Sequence, residues 1–176
     1  MHELFPGQNT DEKIYIAVRE HPVLLLIKVV VWLFFVLVLI LFRNFIPDVL
    51  PALFEGTAGT IISVVQQVYI LFLALSLFII FILYYLNLHI VTEMRIVDVD
   101  QKGLFKHVVS ILNIAQIEDV TSDTTGILGT VFDYGTVFIQ TAGTRERFEL
   151  QNVPHPGQLS KIIIDLFEQQ QGHSLK

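Results

Sequence analysis

Two stretches of this chain are almost continuously apolar, and the remainder alternates in short runs. Val23 to Phe42 holds one polar residue, Lys28, and Val68 to Leu86 is broken only by Ser76 and the tyrosines. Roughly 20 residues at 1.5 Å rise cover about 30 Å, the thickness of the hydrocarbon core of a bilayer. Both runs exceed the length of buried strands and ordinary core helices. Central Leu, Ile, Phe and Val each favour insertion by about 0.3–0.6 kcal/mol, against a cost of about 2.5–3.5 kcal/mol for a central lysine. Lys28 lies near the start of its run, where its head snorkels to the lipid headgroups. The pattern predicts two transmembrane helices, about 22–43 and 60–86, joined by an outer loop over 44–59. Residues 1–21 form an N-terminal segment before this hairpin.

The leader is acidic, the first apolar run is longer than a signal-peptide core, and no small-residue cleavage site follows Phe42, so the first helix is expected to be retained. Pro22 suits a first helical turn. Trp32 is expected to face lipid or pack on the second helix, and Tyr84 and Tyr85 suit an interfacial belt. Within the loop, Ile46, Val49, Leu50, Leu53 and Phe54 follow helical spacing, which fits a short surface helix or an apolar loop against the helix ends. The loop has no lysine or arginine beyond Arg43 at its edge, whereas Lys13, Arg19 and Lys28 lie on one flank and Arg95, Lys102 and Lys106 on the other. The positive-inside rule then places both termini in the cytoplasm.

From Asn87 the pattern becomes alternation punctuated by turns. Strands are expected at His89–Thr92, Arg95–Asp100, Leu104–Leu112, Ile117–Thr121, Gly135–Thr141 and Arg145–Leu150, with a turn-rich Ser122–Gly129 stretch and a connection at Ala142-Gly143-Thr144. Pro156 opens an amphipathic helix whose apolar positions are Leu159, Ile162, Ile163, Leu166 and Phe167. Whether Ile14, Ile16 and Val18, which also alternate, add a strand is open. The fold class is α+β: a two-helix transmembrane hairpin, then a bent antiparallel sandwich or barrel over 87–170 capped by the C-terminal helix, with a tail at 171–176.

Composition narrows the function. Of 176 residues, 53% are hydrophobic and 16% charged, and the net charge is −6, against about 25% charged in soluble domains. That argues against disorder and against nucleic-acid binding through bulk positive charge. With no cysteine, a disulfide framework, a thiolate zinc site and a cysteine nucleophile are excluded.

Candidate chemistry is sparse. Asp98 and Asp100 form an Asp-x-Asp without a third ligand and are expected on a solvated strand face. Glu118, Asp119 and Asp123 fall among turn residues. His89 and Glu93 have helical metal spacing but lie on an expected strand and hairpin. Gly56-Thr57-Ala58-Gly59-Thr60 lacks the Gly-Lys-Ser/Thr end of a phosphate loop. No serine sits in a nucleophile elbow. The expectation is a protein that is not an enzyme, with no cofactor and no metal.

Val91-Thr92-Glu93-Met94-Arg95-Ile96, Lys102-Gly103-Leu104-Phe105 and Ile114-Ala115-Gln116-Ile117-Glu118-Asp119-Val120 together resemble the bacterial pleckstrin-homology-like membrane protein family. So do Gly126-Ile127-Leu128-Gly129 before Tyr134-Gly135-Thr136-Val137, and Asn152-Val153-Pro154 before the helix. The two apolar runs introduced by His21-Pro22 match a common arrangement of that family, and the likeness extends over about 87–168. Glu93 departs from it, standing where the family often has Asn. The resemblance implies a seven-stranded, roughly orthogonal sandwich with a C-terminal helical cap. It also implies a membrane-anchored interaction module, working through protein contacts or as a homo-oligomer. Phosphoinositide-binding pleckstrin-homology domains use a basic cluster near their first hairpins, and Arg95, Lys102 and Lys106, with His107, are the nearest equivalent here. Alternatives are sensing of a lipid headgroup or small ligand by that side, and a role as accessory subunit of a larger membrane complex. The expected partners are membrane lipids and other proteins, not nucleic acid, and the expected location is a bacterial plasma membrane.

Overall fold

Ile14, Ile16 and Val18 lie upstream of the apolar hairpin, yet they complete a sheet whose other strands lie downstream of it. A computed structural model describes residues 12–101, 103–141 and 147–174. The chain forms two units: Pro22–Leu83 is one, and Met1–His21 together with Tyr84–Lys176 is the other.

The first unit holds helices α1 (Pro22–Val49) and α2 (Gly56–Leu86), linked through a 3-10 turn at Pro51–Phe54. With 28 and 31 residues, they are about 42 and 46 Å long, enough to cross a bilayer, and among their residues only Leu73 is buried. A helix inside a soluble core would hide such apolar surface; these present it. Aromatic side chains tie the two together. Trp32 Nε1–H donates to the Leu73 carbonyl at 2.9 Å, which also accepts from Ser76 Oγ at 2.9 Å, and Tyr69 O–H donates to the Phe35 carbonyl at 3.3 Å. Trp32 therefore packs on the second helix. The connection is shorter than the 44–59 expected from sequence: Ile46 and Val49 continue the helical spacing and extend α1 past Arg43, with Pro47 inside its last turns. Leu53 and Phe54 lie in the 3-10 turn, so the five apolar loop residues do not make a separate surface helix.

The second unit contains two antiparallel sheets. The first has the order β1-β2-β3-β4, from β1 (Ile14–Val18), β2 (Leu88–Thr92), β3 (Arg95–Gln101) and β4 (His107–Asn113). The second has the order β5-β6-β7, from β5 (Ile117–Asp123), β6 (Tyr134–Thr141) and β7 (Phe148–Pro154). This makes seven strands among the described residues, the one not expected from sequence being β1. Helix α3 (Gly126–Phe132) occupies the turn-rich stretch, and α4 (Pro156–Ser174) closes the chain. Leu104 to Lys106, expected at the start of a strand, form the loop before β4. The Ala142-Gly143-Thr144 connection and Arg145 lie outside the described residues.

Strand alternation sets the core. Val91, Ile96 and Leu112 from the first sheet meet Val137, Ile139, Leu150 and Val153 from the second, and Leu159, Ile163 and Leu166 of α4 close over them. Each such side chain contributes about 1.5–3 kcal/mol by burial. On the opposite face of the first sheet, Ile90 and Val97 centre a smaller buried cluster. Two local devices adjust the second sheet. Gly135 passes so close to β5 that a Cβ there would lie 2.1 Å from the Asp123 carbonyl oxygen. A β6–β7 register shift between Gly135 and Val137 accompanies Asn152 at φ 58°, a bulge with a left-handed residue. The Asn152 carbonyl accepts the His21 N–H at 2.8 Å.

Candidate functional site

The inner face of the first sheet changes character along its length. Its buried apolar stretch of Val91, Ile96 and Leu112 gives way, two residues along each strand, to a row in register: Val18 opposite His89, His89 opposite Asp98, Asp98 opposite Ser110. A period of two keeps these side chains on the core side, so this row is where the core becomes polar. His89 Nδ1 lies 2.7 Å from Asp98 Oδ1, with the side chains 7% and 15% exposed. The carboxylate thus fixes one ring nitrogen, and Nε2 is buried with no hydrogen-bond partner among the described residues.

This row lines a cleft of about 890 Å³ between the sheets. Glu20, Asp98, Asp100 and Glu149 face it with Arg147, so among the described residues its lining carries four carboxylates against one guanidinium. Asp98 and Asp100 therefore belong to a half-buried cleft rather than to a solvated strand face. Ser110 and His89 do not form a nucleophile–base pair. Ser110 sits two strands from His89 with Asp98 between them, about 10 Å away at sheet spacing, too far for the imidazole to take its proton. Among the described residues no three His, Cys, Asp or Glu side chains gather as a metal site. Glu93 lies in the turn after β2, at the opposite end from the cleft, with its N–H on the Lys13 carbonyl and its own carbonyl accepting from Gln170.

Of the cationic residues singled out from sequence, Arg95 and Lys106 are not brought together. Arg95 is bidentate to Glu12, Nε and Nη2 each 3.0 Å from a carboxylate oxygen, and Thr92 Oγ1 donates to the same carboxylate at 2.6 Å. The Glu12 side chain is fully buried. Arg95 therefore ties the N-terminal segment to β3. Lys106 is exposed in the loop after the other end of β3, about 20 Å along the strand from Arg95. Lys102 lies outside the described residues. His107 is exposed, with Nδ1 3.1 Å from Gln101 Oε1.

A second polar cluster surrounds His21. The His21 ring stacks on Tyr134 with centroids 5.4 Å apart, and His155 Nδ1 lies 2.5 Å from Asp133 Oδ2. Partial burial pushes the His21 pKa below its ordinary value, and the nearby His155 pushes it the same way, while Asp133 opposes them. Sequence reasoning treated His21 only as a lead into Pro22. The ring's partners are more than a hundred residues away, and no local signal exposes them.

The class defined by this architecture is a two-sheet β domain with a C-terminal helical cap, interrupted after its first strand by a pair of long apolar helices. The family model for bacterial PH domains matches residues 22–166, and the chain belongs to that family. Among solved structures, the chain is similar to a DUF1696 family protein with a pleckstrin-homology domain from Shewanella loihica PV-4, at 15% identity and a TM-score of 0.37, over 46% of this chain and 70% of that one. No curated protein matches the chain.

Two outcomes follow from this geometry. Arg95→Met removes the guanidinium that is bidentate to the buried Glu12 carboxylate and is expected to lower unfolding stability by about 3 kcal/mol. Adding Glu12→Gln is expected to recover much of that loss in a denaturant-midpoint cycle; equal losses in the single and double variants would argue that the ion pair is unimportant. For His21, the neutral ring is the form the fold favours. Stability is therefore complete above the ordinary imidazole pKa and falls as pH drops through it towards the lower folded value. In an NMR titration of the protein in detergent, His155→Gln is expected to move the His21 midpoint part of the way up, because burial, the larger cause, remains.

Proposed function

We propose that this protein is a membrane-anchored, non-catalytic PH-type interaction module, held at the cytoplasmic face of a bacterial plasma membrane and acting through protein contacts, self-association included. The observation that carries the reading is the cleft: a concave surface with an acidic lining among the described residues and a buried His–Asp pair. Such a lining attracts lysine or arginine side chains of a protein segment and repels an anionic headgroup. The separation of Arg95 from Lys106 also weighs against headgroup recognition through those residues.

Anchoring rests on the length and exposure of α1 and α2. Pairing of β1 with β2 requires both ends of the hairpin to lie on one side of the membrane, which supports two crossings. The excess of lysine and arginine near those ends supports the cytoplasmic side. Confinement to one membrane raises the effective concentration of a second copy or partner, so modest contacts suffice.

Photo-crosslinking amino acids at Gln151, in the cleft, and at Glu118, exposed on β5, test the proposal in native membranes. Protein adducts, a second copy among them, are expected from Gln151 and not from Glu118. Absence of any protein adduct from Gln151, together with a monomeric mass in mild detergent, would overturn it.

A further inference from the structure

The β domain carries two uncovered apolar segments, and both adjoin the points where the chain passes into the long helices. One is the loop between β3 and β4, where Phe105 is 99% exposed beside a half-exposed Leu104. Its base is fixed next to α2: Asn87, the residue after the last of that helix, accepts the Gln101 N–H on Oδ1 at 2.7 Å and bonds Glu20 through Nδ2 at 2.9 Å. The other is α3, a seven-residue helix without a charged side chain, on which Ile127 is 83% and Val131 69% exposed, with Leu128 and Phe132 also uncovered. Its C-cap, Asp133, leads into Tyr134, whose ring stacks on His21, the residue before α1.

The geometry points to these two segments as a lipid-contacting base, the Leu104–Phe105 tip and the apolar face of α3 seated in the bilayer interface. This rests on the reading that α1 and α2 span a membrane. If they do, His21 and Asn87 lie at its surface by covalent connection, and side chains held next to them meet headgroups and upper acyl chains. The chemistry suits that depth. Exposed apolar side chains clustered on a short loop and a short helix are unusual on a soluble surface, whereas short apolar elements bury about 5–10 Å into the interface. Lys106, following Phe105, is placed to reach the headgroups. The opposite end of the domain shows the contrast: there the turn after β2 is closed by the Glu12–Arg95 pair and by Gln170.

The chain has no cysteine, so single spin labels report without interference. Phe105→Cys, Val131→Cys, Met94→Cys in the turn after β2, and Phe78→Cys within α2 would be labelled in the full-length protein reconstituted into bilayers. Accessibility to oxygen and to a water-soluble nickel chelate is then compared. Labels at 105, 131 and 78 are expected to favour oxygen, and the label at 94 to favour nickel. Nickel-accessible labels at 105 and 131 with an oxygen-accessible label at 78 would overturn the seated base while leaving the anchor intact. Labels at 105 and 131 shielded from both reagents would overturn it in favour of a protein covering that surface. A nickel-accessible label at 78 would overturn the anchor itself.

Discussion

The pairing of β1 with β2 is the constraint on which the other features depend. These strands are neighbours in the sheet but stand on either side of the apolar hairpin in sequence. Their four paired positions close the first sheet, put Val18 and Ile16 against the core, and bring Glu12 to Arg95 and Glu20 to Asn87. The bacterial PH domain of this chain is therefore one domain with a membrane-type hairpin inserted after its first strand, rather than a domain hung on the end of an anchor. Folding it requires the two ends of the hairpin to return to the same place.

That constraint also shapes the site. The inner face of the first sheet is apolar at Val91, Ile96 and Leu112, which join the core, and polar at His89, Asp98 and Ser110, where the cleft begins. His89 is buried there because Asp98 is its cross-strand neighbour; an imidazole without such a partner would cost several kcal/mol to bury. The dyad is a means of ending a core with polar groups, and it leaves a concave acidic surface beside the chain's connections to the helices.

Much of the architecture was legible along the chain. The two helices are written in continuous apolar runs, α4 in its three-to-four-residue periodicity, and six strands in alternation between turn residues. What escaped was non-local or too short. β1 is a five-residue alternation whose partner strand comes about 70 residues later. Seven residues with two glycines gave α3 too little periodicity to register against the surrounding threonines. His89 and Asp98 meet only because the β2–β3 turn sets their register, and nothing local to Arg95 marks it as paired, because Glu12 is 83 positions away. The order of family-like motifs conveyed a seven-stranded α+β fold but placed it over about 87–168, without β1, and it conveyed nothing of the cleft's charge.

The most direct measurement removes the hairpin. Glu20 and Asn87 are hydrogen-bonded at 2.9 Å, so a short glycine–serine linker can join residues 12–20 to 87–174. Thermal unfolding of this fusion, followed by circular dichroism, is expected to be cooperative, while residues 87–174 alone are expected to lose that cooperativity because the first sheet lacks its edge strand. Equal cooperative stability of the two proteins would contradict the claim that β1 completes the domain across the hairpin.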